Sequence, residues 1–437
     1  MLRWLLNKIA PEDPTPPPIA ETIFSEEVST PSPPPDLRGL LRRRAVYNRE
    51  WEITAYAFSL RELAQAQSTD EEHSHDEVLL CEIERLIESK AIKSDVWIEL
   101  RWKNLHLLSK HRFATTRPLH IIANGDVTQP EDELLVQLGE LHQQNFLVGA
   151  VAQRWHKTHG KIGSQLKLMV LVLQSPDFAT LSNYVQACRK IAPHAELWVN
   201  DVDSREAAEA CFQLGVDYVS GKVFTWPEAQ QLNFPDQFLR LNQILKLVRQ
   251  NADAKIISTE LKSDPALSAR LLRYVNSAAM GLTQSVSNLD QAVVIVGNQR
   301  LYRWLSLLLF ASQGEDKLDQ TLLEAALTRA RLMELAGLES MSAVECDLLF
   351  LTGLFSLLDF LLRVPRSLLL KELCPPDIVV DTLSSKATPF SPFLQLAEQS
   401  ETGQPSEALL AQCQLTFEKY NRVQIDATLW TLSALAT

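Results

Sequence analysis

The sequence predicts an α/β barrel followed by an all-α domain. Two observations carry this reading. From about residue 40 to 230, eight short, continuously apolar, β-branched runs alternate with helical patterns, as parallel strands buried on both faces require. After residue 236 strand-like runs almost vanish, and apolar residues recur at helical spacing to the end of the 437-residue chain. Eight strands with intervening helices fit a closed barrel better than an open sheet.

In chain order, residues 1–39 form a Pro-rich arm. Nine of the 22 prolines fall before residue 38, and a segment so poor in backbone donors is expected to stay extended and disordered. Ahead of it Leu2, Leu5, Leu6 and Ile9 share one helical face, read as a sticky terminus rather than a membrane anchor. Strands are expected at Ala45–Asn48, Glu52–Phe58, Asp95–Leu100, Pro118–Ala123, Phe146–Val151, Leu166–Leu173, Glu196–Asn200 and Val216–Ser220. The first two read as a hairpin turning at Arg49 and Glu50. Helical patterns cover Asp76–Lys90, Glu131–Gln144, Asp177–Ile191 and Ser204–Leu214. This first domain spans 40–230, and Trp226–Pro235 separates it from a second, 237–437.

In the second domain Asp264-Pro265 is a helix start, with Asp as N-cap and Pro at the first helical position. Ser287 followed by Asp290 reads as a capping box. Further helices are expected at Asn298–Ser312, Leu318–Ala336, Ala343–Leu362, Ser406–Tyr420 and Val423–Leu435. The most apolar run, Leu348–Leu362, carries Asp359 and falls short of the roughly 20 residues that span a bilayer. It reads as a single central buried helix.

Composition narrows the function. A net charge of −12 argues against nucleic acid as a partner. Six cysteines without a C-x-x-C pair suit a reducing compartment. With no export or membrane segment evident, the expected location is the cytoplasm. All nine histidines lie before residue 195, so histidine-based metal chemistry is not expected in the helical domain. His73/His75 and His156/His159 read as solvated loop residues. No phosphate-cradling loop or nucleophile elbow is present. Tyr274, Asn276 and Asn298 read as interhelical hydrogen-bonding groups, and Arg300 and Arg303 beside Trp304 as a solvated face.

The stretch from Asp264 to Ala278, continuing through Gly281 and Ile295–Gly297, resembles the HDOD domain. Leu351–Asp359 and Trp430 add to the likeness. That domain is a helical relative of HD-type phosphohydrolases without their metal-binding His-Asp pair, and Ser356 and Leu357 stand where those ligands would be. With a barrel in front, the chain resembles the EAL–HDOD signalling family, whose barrel is related to cyclic-di-GMP phosphodiesterases. The resemblance implies a degenerate barrel. Ala57 stands at the metal-binding glutamate of the signature, Glu99 or Leu100 at the asparagine, Val151 and Ala152 at the paired aspartates, and Met169 after Lys167. Asn200 and Asp203 stand where two acids would lie, and Ser220-Gly221 replaces the terminal Gln-Gly.

Two-metal hydrolysis needs carboxylates around both cations, and at least four are replaced. The expectation is therefore a non-catalytic signal-transduction protein with no catalytic residue, metal or cofactor. Its barrel would act as sensor or scaffold, and its HDOD domain as an output that binds signalling proteins. Arg61 and Lys167 are the residues that could contact a phosphate. The alternative is a cyclic-di-GMP receptor or residual phosphodiesterase.

Overall fold

The computed structural model describes residues 39–435, apart from 63–68, 90, 91, 93, 128, 153–159, 173–177, 222, 224–233, 278, 279, 281–283, 312–316, 403 and 404. The expectations for the Pro-rich arm, the Met1–Ile9 stretch and the His156/His159 pair lie outside the described residues. So does most of the Trp226–Pro235 boundary.

Eight strands close into a barrel in sequence order: β1 Gly39–Tyr47, β2 Ile53–Glu62, β3 Asp95–Arg101, β4 Leu119–Asn124, β5 Phe146–Val151, β6 Leu168–Val172, β7 Glu196–Val202 and β8 Tyr218–Gly221. β1 is antiparallel to both its neighbours, and β2 to β8 are parallel. The hairpin turn is locked by the Asn48 side chain, whose Oδ1 accepts from Glu52 N at 2.9 Å. β1 begins six residues before the expected Ala45, because Arg42, Arg43 and Arg44 lie within it.

Strand alternation divides the barrel into two apolar sets. Val46, Ala55, Ala57, Trp97, Ile122, Leu168, Val170 and Trp198 pack inside. Their neighbours Phe58, Leu100, Met169, Leu171 and Val199 belong to the outer layer, with the barrel helices. Trp97 meets Trp198 edge-on with centroids 5.2 Å apart. The small Ala55 and Ala57 leave room for the two indoles, so the interior is filled rather than open. The helices are α1 Thr69–Glu88, α2 Glu131–Gln143, α3 Gly160–Gly163, α4 Phe178–Ile191 and α5 Arg205–Gln213. A 3₁₀ segment, Trp102–Lys110, has no counterpart in the sequence reading.

The helical region comprises α6 Asp236–Arg249, α7 Ala254–Lys262, α8 Pro265–Val275, α9 Leu289–Ala311, α10 Lys317–Gly337, α11 Ala343–Phe355, α12 Leu358–Leu362, α13 Arg366–Leu373, α14 Asp377–Leu383, α15 Ser391–Thr402, α16 Glu407–Gln412 and α17 Phe417–Leu435. Asp264 caps α8 by accepting from Leu267 N. The cap before α9 is Asn288 rather than Ser287: its Oδ1 accepts from Asp290 N at 2.9 Å.

The expected single helix over Leu348–Leu362 is broken. Leu357 leaves helical geometry, and the Ser356 carbonyl is taken by Arg366 Nη2 at 3.0 Å. Asp359, fully buried, accepts from Arg366 Nε at 2.6 Å and from Phe360 N at 3.0 Å. Burial raises its carboxyl, and Arg366 opposes that shift. Arg303 also departs from expectation. It is buried over the Phe350 ring, and its Nη1 lies 2.6 Å from both Glu334 and Asp347.

Helices α10, α15 and α17 cover the outer face of the β1–β2 hairpin. Leu41 N donates to Asn421 Oδ1 at 2.8 Å, and Gln424 Nε2 donates to the Leu41 carbonyl at 3.2 Å. Lys317 pairs with Glu52 at 2.7 Å, and Thr321 Oγ1 donates to the Trp51 carbonyl at 3.0 Å.

Candidate functional site

In a barrel with parallel strands, the C-terminal strand ends and their loops form the end that carries chemistry. Here that mouth is lined by inward-facing residues one step beyond the apolar interior. Arg44, on antiparallel β1, reaches Glu99 on β3 with Nη2–Oε2 at 2.8 Å. The other Glu99 oxygen accepts from Asn124 Nδ2 at 2.7 Å, from the end of β4. The Arg44 guanidinium lies 5.1 Å over the Trp198 ring, so the indole fixes its height in the barrel.

On the opposite rim, Asn200 Oδ1 accepts from Ser220 Oγ at 2.7 Å and from Asp201 N at 2.9 Å. The Asn200 bond holds Asp201 at φ 61, within a register shift between β7 and β8. This irregularity re-aims Asp201, whose carboxylate lies 3.9 Å from Arg42 Nη2. Gly221 at φ 137 permits the close approach, since a Cβ there would sit 2.1 Å from the Val202 carbonyl oxygen. Just outside, Asp76 on α1 accepts from Arg101 Nη1 at 2.9 Å and from Asn104 Nδ2 at 2.7 Å.

Chemically the mouth presents paired charges and amide groups that suit a polar ligand carrying both donors and acceptors. Among the described residues no three His, Cys, Asp or Glu side chains are placed to hold a metal ion. The described side chains alone therefore do not make up a two-metal site.

The residues singled out in the sequence are only partly brought together. Glu99 faces the mouth, whereas Leu100 belongs to the outer layer. Val151 packs against the interior, and Ala152 against the outer layer. Met169 faces the helices, so it does not line the mouth. Asp203 is exposed beyond β7. Arg61 pairs with Leu40 in the hairpin, near the mouth. Lys167 is exposed and precedes β6, at the opposite end of the barrel, where its N–H donates to Val148. Arg42, Arg44 and Asn124 were not singled out. The run Arg42–Arg44 was the available signal, since alternate residues of a strand face the same side.

Comparison with known proteins adds two findings. Residues 232–357 match the family model of the HDOD domain. Two curated proteins are similar. One is the cyclic di-GMP phosphodiesterase CdgJ of Vibrio cholerae, 22% identical over 275 residues that cover 62% of this chain and 63% of that protein. The other is the uncharacterized protein YuxH of Bacillus subtilis, 24% identical over 208 residues, 46% of this chain and 50% of that protein. The match thus spans between half and two thirds of these relatives. Among solved structures, a standalone EAL protein of Vibrio cholerae with c-di-GMP bound is 12% identical, covering 43% of this chain and 90% of that one, with a TM-score of 0.33. The YkuI protein of Bacillus subtilis, with an EAL domain, c-di-GMP and calcium, is 14% identical, covering 55% and 73%, also at 0.33.

One expectation is corrected. A protein with no enzymatic activity was expected from replaced carboxylates. The similarity over 62% of the chain to a protein named a phosphodiesterase points the other way. The physical flaw lies in the residue-by-residue alignment: one step along a strand exchanges its inner and outer faces, as Met169 shows. The chain thus joins a closed eight-stranded barrel to a helical region whose first part, with the last residues before it, matches the HDOD domain.

Proposed function

We propose that the chain is a cyclic-di-GMP signalling protein of the cytoplasm. Its barrel mouth receives the dinucleotide, and its helical region carries the response to a signalling protein. The observation that carries this reading is the Arg44–Glu99–Asn124 cluster at the strand ends. A guanidinium suits a phosphodiester, and a carboxylate beside an amide suits the donor edge of guanine. The name of the Vibrio cholerae relative CdgJ favours the same ligand class. The free cysteines Cys81, Cys188, Cys211, Cys346, Cys374 and Cys413 support a reducing compartment.

Arg44 sits on the strand whose outer face is covered by α10, α15 and α17, so occupancy of the mouth has a direct route to the helical region. Calorimetric titration of the full chain with cyclic di-GMP tests the reading. One site is expected, weakened about tenfold or more in Arg44→Ala, the loss typical of one charge-assisted hydrogen bond. Absence of binding, or an unaffected Arg44→Ala, counts against it.

A hydrolytic reading of the same mouth is favoured by the phosphodiesterase relative. Under it, incubation with cyclic di-GMP and magnesium or manganese yields the linear dinucleotide, and Glu99→Gln lowers the rate. A rate unchanged in Glu99→Gln removes Glu99 from that role.

A further inference from the structure

A second site lies on the other side of β1. Between the hairpin's outer face and helices α10, α12, α13 and α15 is a cavity of about 490 Å³, within the size range of small-molecule sites. Tyr47 and Tyr56 line one side, Leu357 and Phe360 another, and Glu398 and Glu401 of α15 add two carboxylates to the lining. Three arginines reach it, and two are already committed. Arg329 donates to both Glu401 oxygens at 2.8 and 2.7 Å and to Ser356 Oγ at 2.8 Å. Arg366 is held by Asp359 and the Ser356 carbonyl.

Arg43 is the third. Among the described residues it makes no hydrogen bond or ion pair, and its guanidinium lies 5.0 Å over the Tyr56 ring. The nearby Glu324 carboxyl bonds the Tyr56 hydroxyl instead. Burial raises Glu324 to about 7, so near neutral pH it is an incomplete counter-charge. Glu324 and Glu401 act on Arg43 only through space, so its N–H donors are left to the cavity, which Arg43 lines.

We infer that this cavity binds a small organic anion, a carboxylate or phosphate monoester on an apolar body, with Arg43 taking the charge and Tyr47, Leu357 and Phe360 the body. The charged groups of the two sites point to opposite sides of β1, Arg42 and Arg44 inward and Arg43 outward, and Gly221 borders both. It therefore stands whether or not the mouth binds cyclic di-GMP.

The test is titration of the full chain with phenyl phosphate, benzoate and inorganic phosphate. At least one organic probe is expected to bind at one equivalent, more tightly than inorganic phosphate and undisplaced by cyclic di-GMP. Arg43→Met should weaken it about tenfold, one bidentate charge contact, and Arg43→Lys should retain most of it. Leu357→Trp fills the cavity from the opposite wall without touching the charge, so it should also abolish binding. That variant decides the matter if Arg43→Met fails to fold. No organic probe bound at about 10 mM, a limit near 3 kcal/mol of affinity, overturns the inference. So does binding unchanged in Arg43→Met or Leu357→Trp, displacement by cyclic di-GMP, or equal affinity for inorganic phosphate.

Discussion

Glu324 shows how one buried carboxyl makes a stability that depends on pH. Tyr56, Arg43 and Tyr47 surround it, and desolvation outweighs the opposing effect of Arg43, raising it from 4.5 to about 7. A folded-state value above the unfolded one means that the native state holds the proton more tightly. The stabilisation is therefore full below pH 4.5 and is lost as pH rises through about 7. Glu324→Gln, which keeps the shape without the titration, should be near neutral at about pH 5 and stabilising by about 1–3 kcal/mol at about pH 8. Urea unfolding of both proteins at both pH values measures this. An equal difference at the two values would show that Glu324 does not titrate in this window. None of this was legible in the sequence, where Glu324 is one acid among 54; its environment is made by a hairpin some 270 residues away.

Helices α10 and α11 illustrate an element held by a close approach. A Cβ at Gly353 would lie 2.6 Å from Ala330 Cα and 2.8 Å from its backbone nitrogen. Both are backbone atoms, so accommodating even one methyl group requires the helices to separate. Gly353→Ala is expected to cost about 1–3 kcal/mol, lowering the melting temperature by about 2–4 °C for each kcal/mol, despite the helix preference for alanine. An unchanged melting temperature would show that the helices part freely. Elements like α2 and β5 were legible almost to the residue, because local periodicity and turn residues define them. The break between α11 and α12 was not, since the local pattern is apolar throughout and the interruption comes from Arg366 capturing a carbonyl. The mouth was legible in part for a related reason: Glu99 sits on a strand that reads clearly, whereas Arg42 and Arg44 precede the apolar stretch that marks β1.

Across the whole molecule, the two halves differ in periodicity but share their cores. Leu40, on the first barrel strand, is fully buried within the helical cluster, and Ile425, on α17, belongs to the barrel's outer layer. The N–H and carbonyl of Leu41 are bonded to Asn421 and Gln424 rather than left to water, so β1 depends on a helix some 380 residues further along. Sequence periodicity, which changes near residue 236, reports which faces are apolar, not which partner covers them. Proteins with several domains commonly unfold in steps. Here the exchanged side chains tie each half's core to the other, so calorimetry of the full chain should give one cooperative transition. Asn421→Ala leaves the buried Leu41 N–H without its acceptor, at a cost of about 1–3 kcal/mol, and should loosen the tie enough to separate the barrel's transition from that of the helices. Two transitions in the unaltered protein, or an Asn421→Ala trace that superimposes on it, would mean that each half is stable without the other and that β1 belongs to the barrel alone.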